Sequence, residues 1–150
     1  MSKLAMRVLG RSKVPVSCLG VGGYLGLLGD AGADDGRQIE AAVEAVRRAV
    51  ELGVRYFDTS PAYGNAERYL GAGLAALSKG ERQQLTVSTK VGTHPQRPRH
   101  YGADAVKWCF ERSRELLGRI DVVYVHDPGG DADMDRILGA GGAFDALEEL

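Results

Sequence analysis

The chain has 150 residues, of which 44% are hydrophobic and 26% charged, and its net charge is −1. That is enough for one domain with a sizeable core, and it excludes the basic field that draws nucleic acid or an anionic membrane surface. No apolar run reaches the ~18 residues that span a bilayer, the start MSKLAMRVLGRSK lacks a signal peptide's apolar stretch, and Cys18 and Cys109 form no CxxC pair, so a cytoplasmic protein with reduced thiols is expected.

Residues 6–20, MRVLGRSKVPVSCLG, carry short β-type runs on either side of Gly10, Arg11, Ser12 and Lys13. They predict a hairpin leading into a first strand near residues 16–20. A glycine-rich loop, GVGGYLGLLGDAG, follows. Ile39, Ala42, Val43, Val46, Ala49 and Val50 then recur at helical spacing, with Glu40, Glu44, Arg47, Arg48 and Glu51 on the opposite face. Asp35 and Gln38 have the spacing of a capping box, and Gly53 suits the left-handed position that closes a helix. Residues 54–57 read as a strand ending at Asp58. The alternation repeats with a helix over 65–77, a strand over 85–89 ending at Lys90 and a helix over 103–117. The last of these points Val106, Cys109, Phe110, Ser113, Leu116 and Leu117 inward and is closed by Gly118. A strand over 121–125 ends at His126, and a further helix begins near Ala143.

Strict alternation of strand and helix calls for a parallel sheet with right-handed crossovers. The runs VRYF, LTVST and VVYV are near-continuously apolar, as strands covered by helices are. A doubly wound open sheet and a (β/α)8 barrel both satisfy this pattern. In either, Asp58, Lys90 and His126 leave the sheet at one edge, and in a barrel that edge is the catalytic face. Tyr63 lies in the loop above the strand that carries Asp58. Each residue alone has an ordinary explanation as a cap, a turn or an exposed strand end. Three charged ends delivered in register weigh toward function.

The chemistry these side chains permit is narrow. A phenol titrates near pH ~10 and needs a neighbouring ammonium to exchange its proton near neutrality. Lys90 can supply that charge, Asp58 can hold Lys90 in place, and Tyr63 then serves as general acid or base. His126 can hydrogen-bond a substrate oxygen. No nucleophile or metal cage accompanies them. The set suits proton transfer at a carbonyl or alcohol oxygen, with a hydride supplied by a cofactor.

Gly20, Gly22 and Gly26 form GxGxxxG, close to a dinucleotide fingerprint, but the helix begins near Asp35 rather than directly after it, which a Rossmann phosphate loop does not allow. No tyrosine has a lysine four residues on. The segment HPQRPRH, residues 94–100, overhangs the same rim. It reads as a solvated loop stiffened by Pro95 and Pro98, or as a cover for an anionic or polyol substrate. His94 and His100 lack metal-ligand spacing, and Trp108 reads as helix packing.

The stretches MRVLGRSKVPVSCLGVGG, GVRYFDTSPAYGNAERYLG, VSTKVG and DVVYVHDP, in that order, resemble the aldo-keto reductases. The resemblance implies an α/β fold, the N-terminal half of a (β/α)8 TIM barrel with an N-terminal β-hairpin across its base. About four βα units are present, so residues 1–150 would be the N-terminal part of a single barrel domain that breaks off within the fourth helix. It implies a catalytic tetrad of Asp58, Tyr63, Lys90 and His126, and NADP or NAD as cofactor near Gly22, Gly23 and Asp58. Gly23 stands where the family often has a threonine near the nicotinamide ribose. The implied activity interconverts an aldehyde, ketone or aldose with an alcohol or lactone. HDP and the tail ILGAGGAFDALEEL are similar to the sugar-dehydrogenase branch. A cofactor-sensing regulator on the same fold, or an inactive half-barrel that self-associates, are the alternatives.

Overall fold

The computed structural model describes residues 4–23 and 35–150. In it, β1 (Met6–Leu9) and β2 (Val14–Ser17) form an antiparallel hairpin with Met6 opposite Ser17 and Leu9 opposite Val14. A single 3-10 turn, Gly10–Ser12, reverses the chain. The first strand of the main sheet is β3 (Val21–Gly22), not the expected 16–20 segment. Residues 16 and 17 are already paired in the hairpin, so parallel pairing starts only beyond Gly20.

Four parallel strands follow one another across the main sheet in chain order: β3, β4 (Tyr56–Asp58), β5 (Thr86–Val91) and β6 (Val122–Val125). A doubly wound sheet reverses its strand order at a switch point. This sheet does not, which is the progression of a barrel wall left open. Gly22 lies beside Asp58, Asp58 beside Ser88, and Lys90 beside Tyr124. The hairpin closes the lower end of the wall: Thr86 Oγ1 donates to the Pro15 carbonyl (2.6 Å), and the Arg55 N–H to Ser17 Oγ (2.8 Å).

Helices α1 (Asp35–Glu51), α2 (Ala66–Ala75) and α4 (Ala103–Leu117) cover one face, with the short α3 (Lys79–Gln83) between α2 and β5. Phe57 and Val87 point into that cover and are wholly buried among Val46, Val50, Leu70, Leu74 and Leu117. Each such side chain removed from water contributes about 1.5–3 kcal/mol. A second core joins Val91, Tyr101, Val106 and Cys109 to α5 (Asp131–Leu138) and α6 (Ala143–Glu149) through Ile137, Ala143 and Ala146. Gly53 (φ 95°) and Gly118 (φ 72°) close α1 and α4 in the left-handed conformation, as their positions predict.

Several expectations need adjusting. Leu116 is 46% exposed rather than inward. The buried positions 106, 109, 113 and 117 already fill one helical face, and Leu116 falls off it. The expected helix over 65–77 stops at Ala75, and Ser78 starts α3 with a capping box: Ser78 Oγ accepts the Glu81 N–H, and Glu81 accepts the Ser78 N–H. The helix expected near Ala143 is α6, but α5 precedes it. Residues 24–34, Gly26 among them, and the capping side chain of Asp35 lie outside what the structure describes. Gln38, the other half of that expected box, is buried and accepts the Tyr69 hydroxyl. Among the described residues no helix is long and apolar enough to cross a membrane.

Candidate active site at the strand ends

Period-2 geometry sorts the strand residues. If Phe57 and Val87 face the helices, Tyr56, Asp58, Ser88 and Lys90 face the other way. Asp58 is the last residue of β4, and Lys90 is the last but one of β5. His126 follows β6 and prolongs its ladder, its N–H donating to the Val91 carbonyl (2.8 Å). Tyr63 arrives by a tight turn. The Tyr63 N–H donates to the Ser60 carbonyl (3.0 Å), with Pro61 at the position where its fixed φ favours a β-turn. That turn folds the chain back over the strand ends.

The four side chains meet there. Lys90 Nζ lies 2.5 Å from Asp58 Oδ2 and 2.9 Å from the Thr59 carbonyl. The same ammonium sits 5.0 Å from the centre of the Tyr63 ring, and the Tyr63 and His126 rings meet edge to face, 5.5 Å between centroids. Burial, then the Lys90 charge, push the His126 pKa below its ordinary 6.5, with Asp127 and Asp58 pulling the other way. Ser60 Oγ, wholly buried, lies 2.9 Å from His126 Nδ1. Tyr101, also buried, donates to the carbonyls of His126 and Asp127, each at 2.9 Å.

A row of hydroxyls runs across the uncovered face of the sheet to the same carboxylate. Ser88 Oγ lies 2.7 Å from Asp58 Oδ1 and 3.0 Å from the Tyr56 hydroxyl, which lies 3.2 Å from that of Tyr124. An ionised carboxylate only accepts, so Ser88 gives its single proton to Asp58. Tyr56 then donates to Ser88, and Tyr124 to Tyr56. The bond to Tyr56, then burial, push the Tyr124 phenol up to about 12, as expected of a donor. Both Asp58 oxygens are thereby engaged.

Gly22 lines the open cleft on this face, together with Gly20, Tyr56, Asp58, Lys90 and Tyr124. Among the described residues a Cβ at Gly22 would meet nothing, so bare backbone borders the space. Gly23 is placed differently: a Cβ there would lie 2.7 Å from Thr59 Oγ1, and its N–H donates to the Asp58 carbonyl. A flat ring can therefore approach the wall at Gly22, beside Asp58 and Lys90, and a nicotinamide fits these surroundings.

The loop after β5 is pinned. His94 packs edge-on to Trp108 at 4.7 Å, and the Arg97 and Arg112 guanidinium groups lie 4.3 and 4.8 Å from that ring. Arg99 ties this loop to the next by bonding Asp133 and the Asp127 carbonyl. Among the described residues no three His, Cys, Asp or Glu side chains gather as a metal site. Burial pushes the Cys109 thiol up to about 11.

Sequence reasoning missed Tyr56, Ser88, Tyr124 and Ser60. The first two stand two residues before Asp58 and Lys90, which is the spacing that could have found them. It also missed Glu67, buried behind the sheet, which accepts from Thr89 Oγ1 and whose carboxyl pKa burial raises.

Comparison with known proteins agrees with the fold. The sequence model of the Aldo/keto reductase family matches residues 24–150. L-galactose dehydrogenase of Arabidopsis thaliana is 36% identical over 133 residues, covering 85% of this chain and 39% of that protein. D-threo-aldose 1-dehydrogenase of a Pseudomonas species is 35% identical over 139 residues, covering 74% of this chain and 40% of that protein. An aldo-keto reductase structure from Pseudomonas aeruginosa superimposes with a TM-score of 0.73 at 33% identity, over 97% of this chain and 53% of that one. The chain thus spans less than half the length of these curated relatives.

Proposed function

This chain belongs to the aldo/keto reductase family, and from that premise we propose that the protein is an NAD(P)-dependent oxidoreductase interconverting a carbonyl and an alcohol or lactone, with Tyr63 as general acid–base. The observation that carries the reading is the Lys90 ammonium, held by Asp58 at 2.5 Å and poised 5.0 Å from the Tyr63 ring. A phenol hands its proton to a carbonyl oxygen only if the phenolate left behind is stabilised, and an adjacent fixed cation does that. In the oxidising direction the same phenolate takes the proton from the alcohol. Asp58 keeps Lys90 from swinging into water. His126, across the Tyr63 ring edge, is placed to donate to the same substrate oxygen and orient it.

A bound nicotinamide would supply or accept the hydride, and Gly22 and Asp58 are the residues of this chain that border its place. Gly23 contributes through the backbone it packs beneath Thr59. Aldoses are the proposed substrates, supported by the names of the two dehydrogenase relatives. The described residues would form the N-terminal part of one barrel domain, a reading supported by their match to half of a solved family member. Free thiols at Cys18 and Cys109 suit a cytoplasmic location.

The test is Tyr63→Phe. Turnover of aldehydes and aldoses drops by roughly 10²–10⁴-fold, the usual worth of a general acid–base, while nicotinamide binding followed by fluorescence is unchanged. Turnover near the wild-type rate would overturn the assignment.

A further inference from the structure

The geometry points to Ser60 as a positioning residue that fixes the His126 imidazole as its Nε2–H tautomer and so makes His126 a hydrogen-bond donor to the substrate oxygen. The donor role rests on the function proposed above. The tautomer does not.

The argument is a proton count. Ser60 Oγ is wholly buried and has, among the described residues, two hydrogen-bonding partners: the Ala62 N–H, 3.1 Å away, and His126 Nδ1, 2.9 Å away. The Ala62 amide can only donate, so it occupies a lone pair of the hydroxyl and takes no proton from it. The hydroxyl proton needs an acceptor in a place that water does not reach. Among the described residues His126 Nδ1 is the one acceptor within reach. Nδ1 is therefore bare, and a neutral imidazole with a bare Nδ1 carries its hydrogen on Nε2. In the opposite arrangement, with Nδ1–H donating to Ser60, two donors would face one oxygen and the serine proton would point at nothing. Burial and the nearby Lys90 charge favour the neutral ring that this count requires.

The local fold fixes the serine as firmly as the histidine. Ser60 opens the turn that carries Tyr63, through the bond from the Tyr63 N–H to the Ser60 carbonyl. His126 is held by its own N–H to Val91 and by Tyr101 on its carbonyl. One four-residue turn thus sets the position of the phenol and the tautomer of the imidazole, the two groups that face the substrate oxygen. Alanine at position 60 would keep the turn and lose the tautomer control.

Long-range ¹⁵N–¹H correlation spectra of the protein, with His126 assigned by its disappearance in His126→Asn, test this directly. The expected wild-type pattern is an unprotonated Nδ1 and a protonated Nε2. In Ser60→Ala the Nδ1–H form appears alongside it. At the same time kcat falls about tenfold, less than the roughly 10²–10⁴ of a lost acid–base group, and cofactor affinity holds. A protonated Nδ1 in the wild-type protein overturns the assignment, and so does a Ser60→Ala spectrum that keeps Nε2–H alone. If the spectra come out as expected but no carbonyl or sugar is turned over, the tautomer assignment stands and the proposed function fails.

Discussion

Helices α2 and α4 meet backbone to backbone at Gly71, and a single methyl group placed there tests how the layer behind the site is held. A Cβ at Gly71 would lie 2.0 Å from the Leu116 carbonyl oxygen and 2.9 Å from its carbon. Ordinary contact would need the two backbones to part by about 1 Å or more. Neither can yield locally. Leu116 sits in the last turn of α4, just before the buried Leu117 and the closing Gly118, and Gly71 is flanked by buried Leu70 and Leu74. Parting the helices loosens those core leucines. Overpacking of this kind costs about 1–3 kcal/mol, and the rigidity on both sides places Gly71→Ala at the upper end. Alanine's helix preference over glycine returns about 1 kcal/mol. The net is a loss of about 2 kcal/mol, or a melting temperature lower by about 4–8 °C in a domain of this size. Gly80→Ala is the control: Gly80 lies in α3, and among the described residues an added Cβ there meets nothing, so preference alone acts and the protein gains up to about 1 kcal/mol. Thermal unfolding followed by far-ultraviolet circular dichroism separates the two. Gly71→Ala melting at or above the wild type would mean that propensity outweighs the contact, and the packing argument would be wrong.

Two further outcomes bear on the site. Ser88→Ala removes the donor to Asp58 Oδ1 from a fully buried position, so urea unfolding should show a loss of about 1.5–3 kcal/mol, the range for bonds to charged groups. An unchanged midpoint would mean the hydroxyl row does not support the carboxylate. His126, whose pKa is lowered first by burial and then by Lys90, should titrate below 6.5 when its ring protons are followed by NMR. The unfolded chain then takes up a proton before the native one does, so this group's contribution to stability is present above pH 6.5 and is lost as pH falls through the native value. A midpoint at or above 6.5 refutes it.

What the sequence revealed of this molecule follows from where periodicity is unambiguous. Helices α1 and α4 carry long amphipathic patterns and end in Gly53 and Gly118, and both could be read closely. Strand β3 could not, because two residues between a hairpin and a glycine-rich loop carry no period. Helices α3 and α5 are short, and neither carries a period long enough to stand out. The strand-end residues Asp58, Lys90 and His126 were legible because a parallel sheet must deliver its carboxyl ends together. Tyr56, Ser88 and Tyr124 are inconspicuous because VRYF, LTVST and VVYV look like near-continuous apolar runs. One residue in two along those runs faces away from the helices, and there a tyrosine or serine hydroxyl is no flaw in the core. Ser60 was hidden for another reason: its partner is distant in sequence, and only the folded turn brings it to His126.

The ion pair at the centre of the site argues for chemistry on energetic grounds as well. Lys90 and Asp58 keep only 15% and 30% of their side chains exposed. Two charges this far withdrawn from water lose in desolvation much of what they gain by attraction, and an apolar pair of similar volume is often as stable or more so. Core stability therefore does not explain why β4 and β5 carry this pair near their ends, or why Ser88 and the Thr59 carbonyl are engaged in holding it. What the pair does secure is the position of one ammonium beside the Tyr63 ring. If stability were its purpose, replacing both residues by apolar ones would weaken folding. The expectation from its burial is the reverse, with the fold kept and proton transfer lost.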